Sequence, residues 1–347
     1  MRSIRSVMVG LLIFVVTGDL WAGLAAPVPN PIIFVGNGAG CDFDTVQEAV
    51  DAAAAAPGED VIAIANNRSY TAQQIHIDDA ADLALYGGFA SCPSAPSNAR
   101  TTLDGTGGAA APVITHEGAG LLELRNLTIT GGDAVSAGGG LQSVGGGDLR
   151  LRNVEFVANS GGSGGGVNAV GDENDGKHIR LIEHVTFRDN AALDAGALFL
   201  LNGTIRPEGE PTVIVADNRA TSGDGGGWYL RNADLDEGAD GDTFGCTFVF
   251  SLNRAANRGG GLFLHARGGE SHFIPKMKQD CAAAFVGNEA GVSGGAIEVF
   301  AQDDPLNANP TQAGALLLDT QLNENRAPDG AGAMVRTVAG SAPAPTA

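Results

Sequence analysis

From about residue 150 onward apolar residues fall at every second position, as in Val154/Phe156, Phe248/Phe250, Leu262/Leu264 and Ile297/Val299. A period of two predicts short β-strands with one face buried. These strands belong to a recurring unit: an apolar residue, two further residues, Asn, a cluster of small residues and a second apolar run. It reads Phe156-Val-Ala-Asn159 with Gly164-Gly-Gly-Val167, then Phe187-Arg-Asp-Asn190 with Ala195-Gly-Ala-Leu198. Further copies are Val215-Ala-Asp-Asn218 with Gly225-Gly-Gly-Trp228 and Phe250-Ser-Leu-Asn253 with Gly259-Gly-Gly-Leu262. The last two are Phe285-Val-Gly-Asn288 with Gly294-Gly-Ala-Ile297 and Leu322-Asn-Glu-Asn325 with Ala331-Gly-Ala-Met334. Asn-to-Asn steps are 31, 28, 35, 35 and 37 residues. One unit is too short to bury its own apolar face, so the units must stack.

Triple glycines exclude a helical solenoid, because glycine costs about 1 kcal/mol against alanine inside a helix. Strand-turn coils remain, with neighbouring coils about 4.8 Å apart. The fold class expected is all-β: a right-handed, single-stranded parallel β-helix, its hand set by crossover chirality. Asn159, Asn190, Asn218, Asn253, Asn288 and Asn325 are expected to stack as a corner ladder, with Asn adopting the left-handed conformation of the corner and its amides bonded up and down the column. Cys246 and Cys281 each lie seven residues before a corner Asn. Stacked at one coil's spacing, they fall within the Cα range of a disulfide, and the alternative is two separate buried thiols.

Ahead of the repeats, Asp44-Thr45 followed by Val46, Ala49, Val50 and Ala53 predicts a capped amphipathic helix ending at Pro57-Gly58. Strands are expected over Val61–Ala65, Gln74–Ile77 and Leu83–Tyr86. The helix would cover the open end of the first coil, and Cys41–Cys92 would tie this N-terminal cap shut. The organisation expected is a cap over 27–100, coils over 101–338 and an Ala/Pro-rich tail over 339–347.

Residues 1–26 carry Arg2 and Arg5, an apolar run from Val7 to Val16 and small residues from Ala22 to Ala26. That order predicts a secretory signal peptide cut between Ala22 and Ala25, too short to span a bilayer. The mature chain is expected to hold no transmembrane segment and to be exported, to the extracellular space or outer cell surface. Export makes the four cysteines disulfide partners. The charge of -20, with 40 acidic against 20 basic residues, excludes nucleic acid as a partner.

Phe-x-x-Asn paired with Gly-Gly-Ala-(Ile/Leu/Val), matched in both halves by Phe285–Ile297, resembles the repeat of the polymorphic outer membrane proteins. More widely the chain is similar to the pectin-lyase-like right-handed parallel β-helices. Thr45-Val-Gln-Glu-Ala-Val-Asp-Ala-Ala and Gly87-Gly88-Phe89 resemble the capping region of bacterial β-helix proteins. The resemblance implies a passenger-like surface or adhesin domain. Members of that kind end in a membrane β-barrel; no ten-residue alternating strands follow residue 338, so the chain is expected to be released, held non-covalently or truncated.

Chemistry is sparse. Asp189 and Asp217 each precede a corner Asn in consecutive coils and are the candidate catalytic carboxylates, with solvated turn residues as the other reading. The Asn-Asp-Asp, Gly-His-Gly and Arg-Ile-Lys signatures of polygalacturonase-like members are absent. Asp236, Asp240 and Asp242 crowd one loop and are the candidate Ca²⁺ ligands; no other cofactor is expected. Asp172, Glu173 and Asp175 form a similar loop. Arg254, Glu289 and Arg326 are expected to form a surface ion ladder. Trp228 and Tyr229 should point to opposite faces, the outward one offering a ring to a sugar. His116, His265 and His272 are read as loop or face residues.

Together these features predict an exported, monomeric, non-enzymatic β-helix for adhesion or scaffolding, its partner a cell-surface protein or polysaccharide. The alternative is a polysaccharide lyase or glycoside hydrolase on the same scaffold.

Overall fold

The computed structural model describes residues 32–56, 58–172, 176–235, 245–267, 270–273, 281–302, 312–315 and 320–338. Among the described residues one α-helix, Val46–Ala54, follows the first strand, Ile32–Val35, and the parallel strands form a large sheet of 21 strands and a small one of five. Every pairing between named strands is parallel and joins a strand to its equivalent one coil away, the arrangement of a right-handed parallel β-helix.

Each regular coil turns through four short faces. In one coil these are Leu149–Arg152, Val154–Val157, Ser160–Ser163 and Val167–Val170. The inward side chains form columns because the register is kept from coil to coil. One column runs Ile129, Phe156, Phe187, Val215, Phe250, Phe285 and Leu322. Another runs Leu141, Val167, Leu198, Trp228, Leu262, Ile297 and Ala333. Phe156 stacks on Phe187 with centroids 5.3 Å apart, and Phe250 on Phe285 at 4.6 Å. Val215 breaks the aromatic run, and Trp228 enters the space, edge-on to Phe187 at 6.2 Å and to Phe250 at 5.1 Å.

The six asparagines form one column. The Nδ2 of Asn253 donates to Oδ1 of Asn288 (2.9 Å) and to the Val215 carbonyl (2.7 Å), while its own Oδ1 accepts from the backbone N and Nδ2 of Asn218. The same four bonds recur at Asn190, Asn218 and Asn288. The left-handed residue is not the Asn itself, as the sequence reading expected, but the residue before it: Ala158, Asp189, Asp217, Leu252 and Glu324 have φ between 53° and 57°, and Gly287 has φ 65°. The reason is that a buried amide must aim along the axis, which extended backbone permits, while the outward neighbour takes the bend. At the following corner Gly259 has φ 62°, and a Cβ there would lie 2.6 Å from the Leu262 carbonyl oxygen.

Thr45 caps the helix through a reciprocal pair with Glu48, and Val46, Ala49, Val50 and Ala53 are its buried face. These four residues join the same core as Val35, Ile62, Ile64 and Ile75, so the helix closes the first coils. Cys41 pairs with Cys92 (Cα–Cα 5.0 Å) and Cys246 with Cys281 (4.4 Å). Residues 1–26 and 339–347 lie outside the described residues, as do Asp236, Asp240 and Asp242, and with them Glu173 and Asp175. Among the described residues no helix is long and apolar enough to cross a membrane.

Candidate functional site: a charged cleft on the outer face

The face that begins each large bend carries a clear outward pattern. Its middle column is Val61, Ala84, Glu123, Arg150, Arg180 and Arg206; its far column is Ala63, Tyr86, Arg125 and Arg152. The near column, one residue before each strand's inward start, places Glu59 beside Asp82 and Leu121. Small side chains in the first coils and long ones in the next leave a cleft of about 310 Å³ floored by Val61 and Ala84. Five arginines of a strongly acidic chain thus share one outward face.

Their partners are graded. Arg150 Nη1 meets Glu123 Oε2 at 3.3 Å, Arg152 meets Glu183 at 3.0 Å and Arg180 meets Glu208 at 2.8 Å. Among the described residues Arg125 is paired with no carboxylate; its guanidinium lies over the Tyr86 ring, 5.3 Å from the centroid. Burial first, and then the Glu123 charge, push the Tyr86 hydroxyl above its ordinary pKa. Across the cleft, Glu59 and Asp82 have no basic side chain in ion-pair contact among the described residues, while Asp60 stands in the inward column with Leu83 and Leu122. Asp82 Oδ1 accepts the Leu121 N–H at 2.7 Å. Asp60 is 6% exposed, and burial, followed by the charge of Asp79, raises its carboxyl above the usual range.

The sequence-derived candidates stand elsewhere. Asp189 and Asp217 occupy equivalent corner positions in adjacent coils, both exposed, and Asp189 is held by Arg188 at 3.1 Å. Neither is near the cleft face in the register. Arg254 and Glu289 approach to 3.8 Å at the surface, a contact worth under about 1 kcal/mol. Trp228 does point inward and Tyr229 outward, but Tyr229 is closed off by Phe199, Phe263 and His265 and offers no open ring to a sugar.

Of the histidines read as loop or face residues, His265 is a buried member of the outward face and His116 is a core group. His265 Nδ1 meets the Tyr229 hydroxyl at 2.8 Å, beside Arg258, which stacks on Phe263 and Phe300 and forks onto Asp224. His116 Nδ1 meets Ser143 Oγ at 3.0 Å, and Lys177 Nζ donates to the same oxygen at 2.9 Å and to the Gly147 carbonyl. This Lys-Ser-His set has the composition of a nucleophile relay, yet its members are at most 1% exposed; it satisfies a buried polar column. Burial lowers the Lys177 pKa to about 8 from 10.5. The folded state therefore binds this proton more weakly than the unfolded state. The penalty is complete below pH 8 and lifts toward pH 10.5. Denaturation curves should accordingly show stability gained by the native chain relative to Lys177→Met as pH rises through that window; a constant difference would refute it. His116, lowered to about 4 by burial and then by Lys177, acts on the acid side, its stability lost as pH falls from 6.5 through 4.

Sequence reading passed over the cleft, although Glu123-Leu-Arg125, Arg150-Leu-Arg152 and Arg180 alternate with the inward residues in one register. It also passed over Asn126 and Asn153, which have φ 52° and 50° at the bend ending this face and bond to each other at 2.8 Å; the signal was Arg-Asn before an apolar strand, twice.

No family model matches the chain, and no curated protein matches it. Two crystal structures of the pectin methylesterase from Aspergillus niger, in a deglycosylated and a penultimately deglycosylated form, align with 90% of this chain and 87% of theirs. Their identities are 13% and 12%, with TM-scores of 0.29 and 0.30. A likeness of that depth carries neither an activity nor site residues to this chain, whose fold class rests on its own parallel coils.

Proposed function

We propose that this is an exported β-helix protein of the cell surface or extracellular space that works by binding, in adhesion or as a scaffold, and that its partner is an acidic polysaccharide laid on the arginine-bearing face. The observation that carries this reading is the outward column Arg150, Arg180 and Arg206 with Arg125 and Arg152 beside it, three of which (Arg125, Arg150 and Arg152) line a cleft in a chain of charge -20. Carboxylate recognition by forked guanidinium groups explains why arginine and not lysine occupies these positions. The relation to polymorphic outer membrane proteins and the signal peptide over residues 1–26 belong to this proposal. So does the opportunity for Ca²⁺ at Asp236, Asp240 and Asp242.

The full chain should bind polyuronate in affinity electrophoresis in preference to a neutral glucan, and Arg125→Gln should weaken binding about tenfold, the loss of one charge-assisted pair. Equal retention by both polymers would overturn the reading. The enzymatic alternative has one observation in its favour, the raised carboxyl of Asp60, which starts the strand whose Val61 floors the cleft. Polyuronate depolymerisation, with or without Ca²⁺, abolished by Asp60→Asn would establish it in place of simple binding; cleavage abolished by Asp189→Ala or Asp217→Ala would locate it at the corner instead.

A further inference from the structure

The cleft has two ends of opposite sign, and each is short of a partner. Following the strand direction, the outward positions pass from Glu59 and Asp82, through Val61 and Ala84, to Tyr86 and Arg125. Alternate residues of a strand are about 6.7 Å apart, so the acidic and basic columns stand about 13 Å apart across an apolar floor. At the acidic end Glu59 and Asp82 stand side by side with no basic side chain in ion-pair contact among the described residues, and Asp82 spends one oxygen on the Leu121 N–H. At the basic end Arg125 lies over the Tyr86 ring and, among the described residues, meets no carboxylate in an ion pair. Among the described residues no group of side chains is arranged to hold a metal ion, so a metal does not answer the acidic end.

We propose that the ligand of this cleft is zwitterionic: a glycan segment carrying a free amine on one sugar and a carboxylate on the next, the ammonium at Glu59 and Asp82 and the carboxylate at Arg125. This rests on the polysaccharide reading above and narrows it. A purely anionic chain satisfies Arg125 but sets no cation against the two carboxylates. An amine-bearing one sets its ammonium against the adjacent carboxylates of Glu59 and Asp82, so the two charges of the ligand act together.

Calorimetric titration of the full chain with a glucosamine–glucuronic acid disaccharide bearing a free amine, with its N-acetylated form and with its carboxyl-reduced form tests this. The free-amine form should bind about tenfold more tightly than either derivative. In Asp82→Asn/Glu59→Gln, where Asn keeps an acceptor for the Leu121 N–H, the preference for the free amine should fall toward one; in Arg125→Gln the preference for the carboxylate should do so. Equal or tighter binding of the N-acetylated form overturns the zwitterionic ligand and leaves the acidic-polysaccharide reading standing. Equal binding of the carboxyl-reduced form, or no binding of any of the three, overturns both.

Discussion

Asn253→Ala should cost the protein about 3–6 kcal/mol, among the largest losses available to any single polar residue in the chain. The side chain is fully buried and makes four hydrogen bonds. Its removal strands the Val215 carbonyl, the Asn218 N–H and one Nδ2 proton of Asn218, three buried groups whose desolvation costs about 1–3 kcal/mol each, offset in part by relaxation of the corner. Asn325 supplies the control. It bonds in the same way to Asn288 and to the Phe285 carbonyl but is only half-buried, so water can replace what Asn325→Ala removes and the loss should stay under about 2 kcal/mol. Urea denaturation of the two variants beside the native chain measures the difference. Equal losses would mean that the column fills space without bonding the coils together. Because each coil leans only on its neighbours, the Asn253 variant is also expected to open locally around residues 215–290 before the rest unfolds, seen as early amide exchange there.

The repeats were legible because the same bonds must be made in every coil: wherever Asn253 is needed, Asn218 and Asn288 are needed too, and the demand shows as a spacing. The helix was legible for a comparable reason, since Thr45, Glu48 and the four buried residues of its inner face answer local requirements that follow the helical period. What repeats only in backbone shape was harder to see. The left-handed position holds Ala158, Asp189, Leu252 and Gly287 in turn, four residue types with no chemistry in common, so the bend was assigned to the conspicuous Asn one place later. Asp189 and Asp217 attracted notice for the same reason and prove to be outward bend residues. The cleft was hidden by the freedom of outward positions. Arg125 and Arg150 satisfy no packing rule, and only the pairing register shows that Tyr86, Arg125 and Arg152 are neighbours although 66 residues separate the first from the last. His116, Ser143 and Lys177 are drawn together over 61 residues in the same way, and no sequence motif announces three polar groups sealed inside a coil.

Trp228→Ala should cost about 3–5 kcal/mol, the range for truncating a fully buried aromatic residue, and the structure predicts which second position is coupled to it. Five other repeats carry Phe or Leu at the start of the Asn motif and a residue smaller than Trp after the small cluster; only the coil of Val215 and Trp228 exchanges the sizes. The indole occupies the volume that a phenylalanine ring at 215 would take, touching Phe187, Phe248 and Phe250 edge-on. Val215→Phe alone should therefore overpack the coil and cost about 1–3 kcal/mol, and Trp228→Leu alone should leave a cavity. Together the two changes rebuild the pattern of the neighbouring copies, with Phe187, the new ring and Phe250 in one column and Leu beside Leu198 and Leu262. The double variant should then be more stable than the sum of the single losses predicts by about 1–3 kcal/mol. Strict additivity in denaturant titrations would show that the two positions do not share a volume, and that the size exchange in this coil is accidental and not a compensated departure from the repeat.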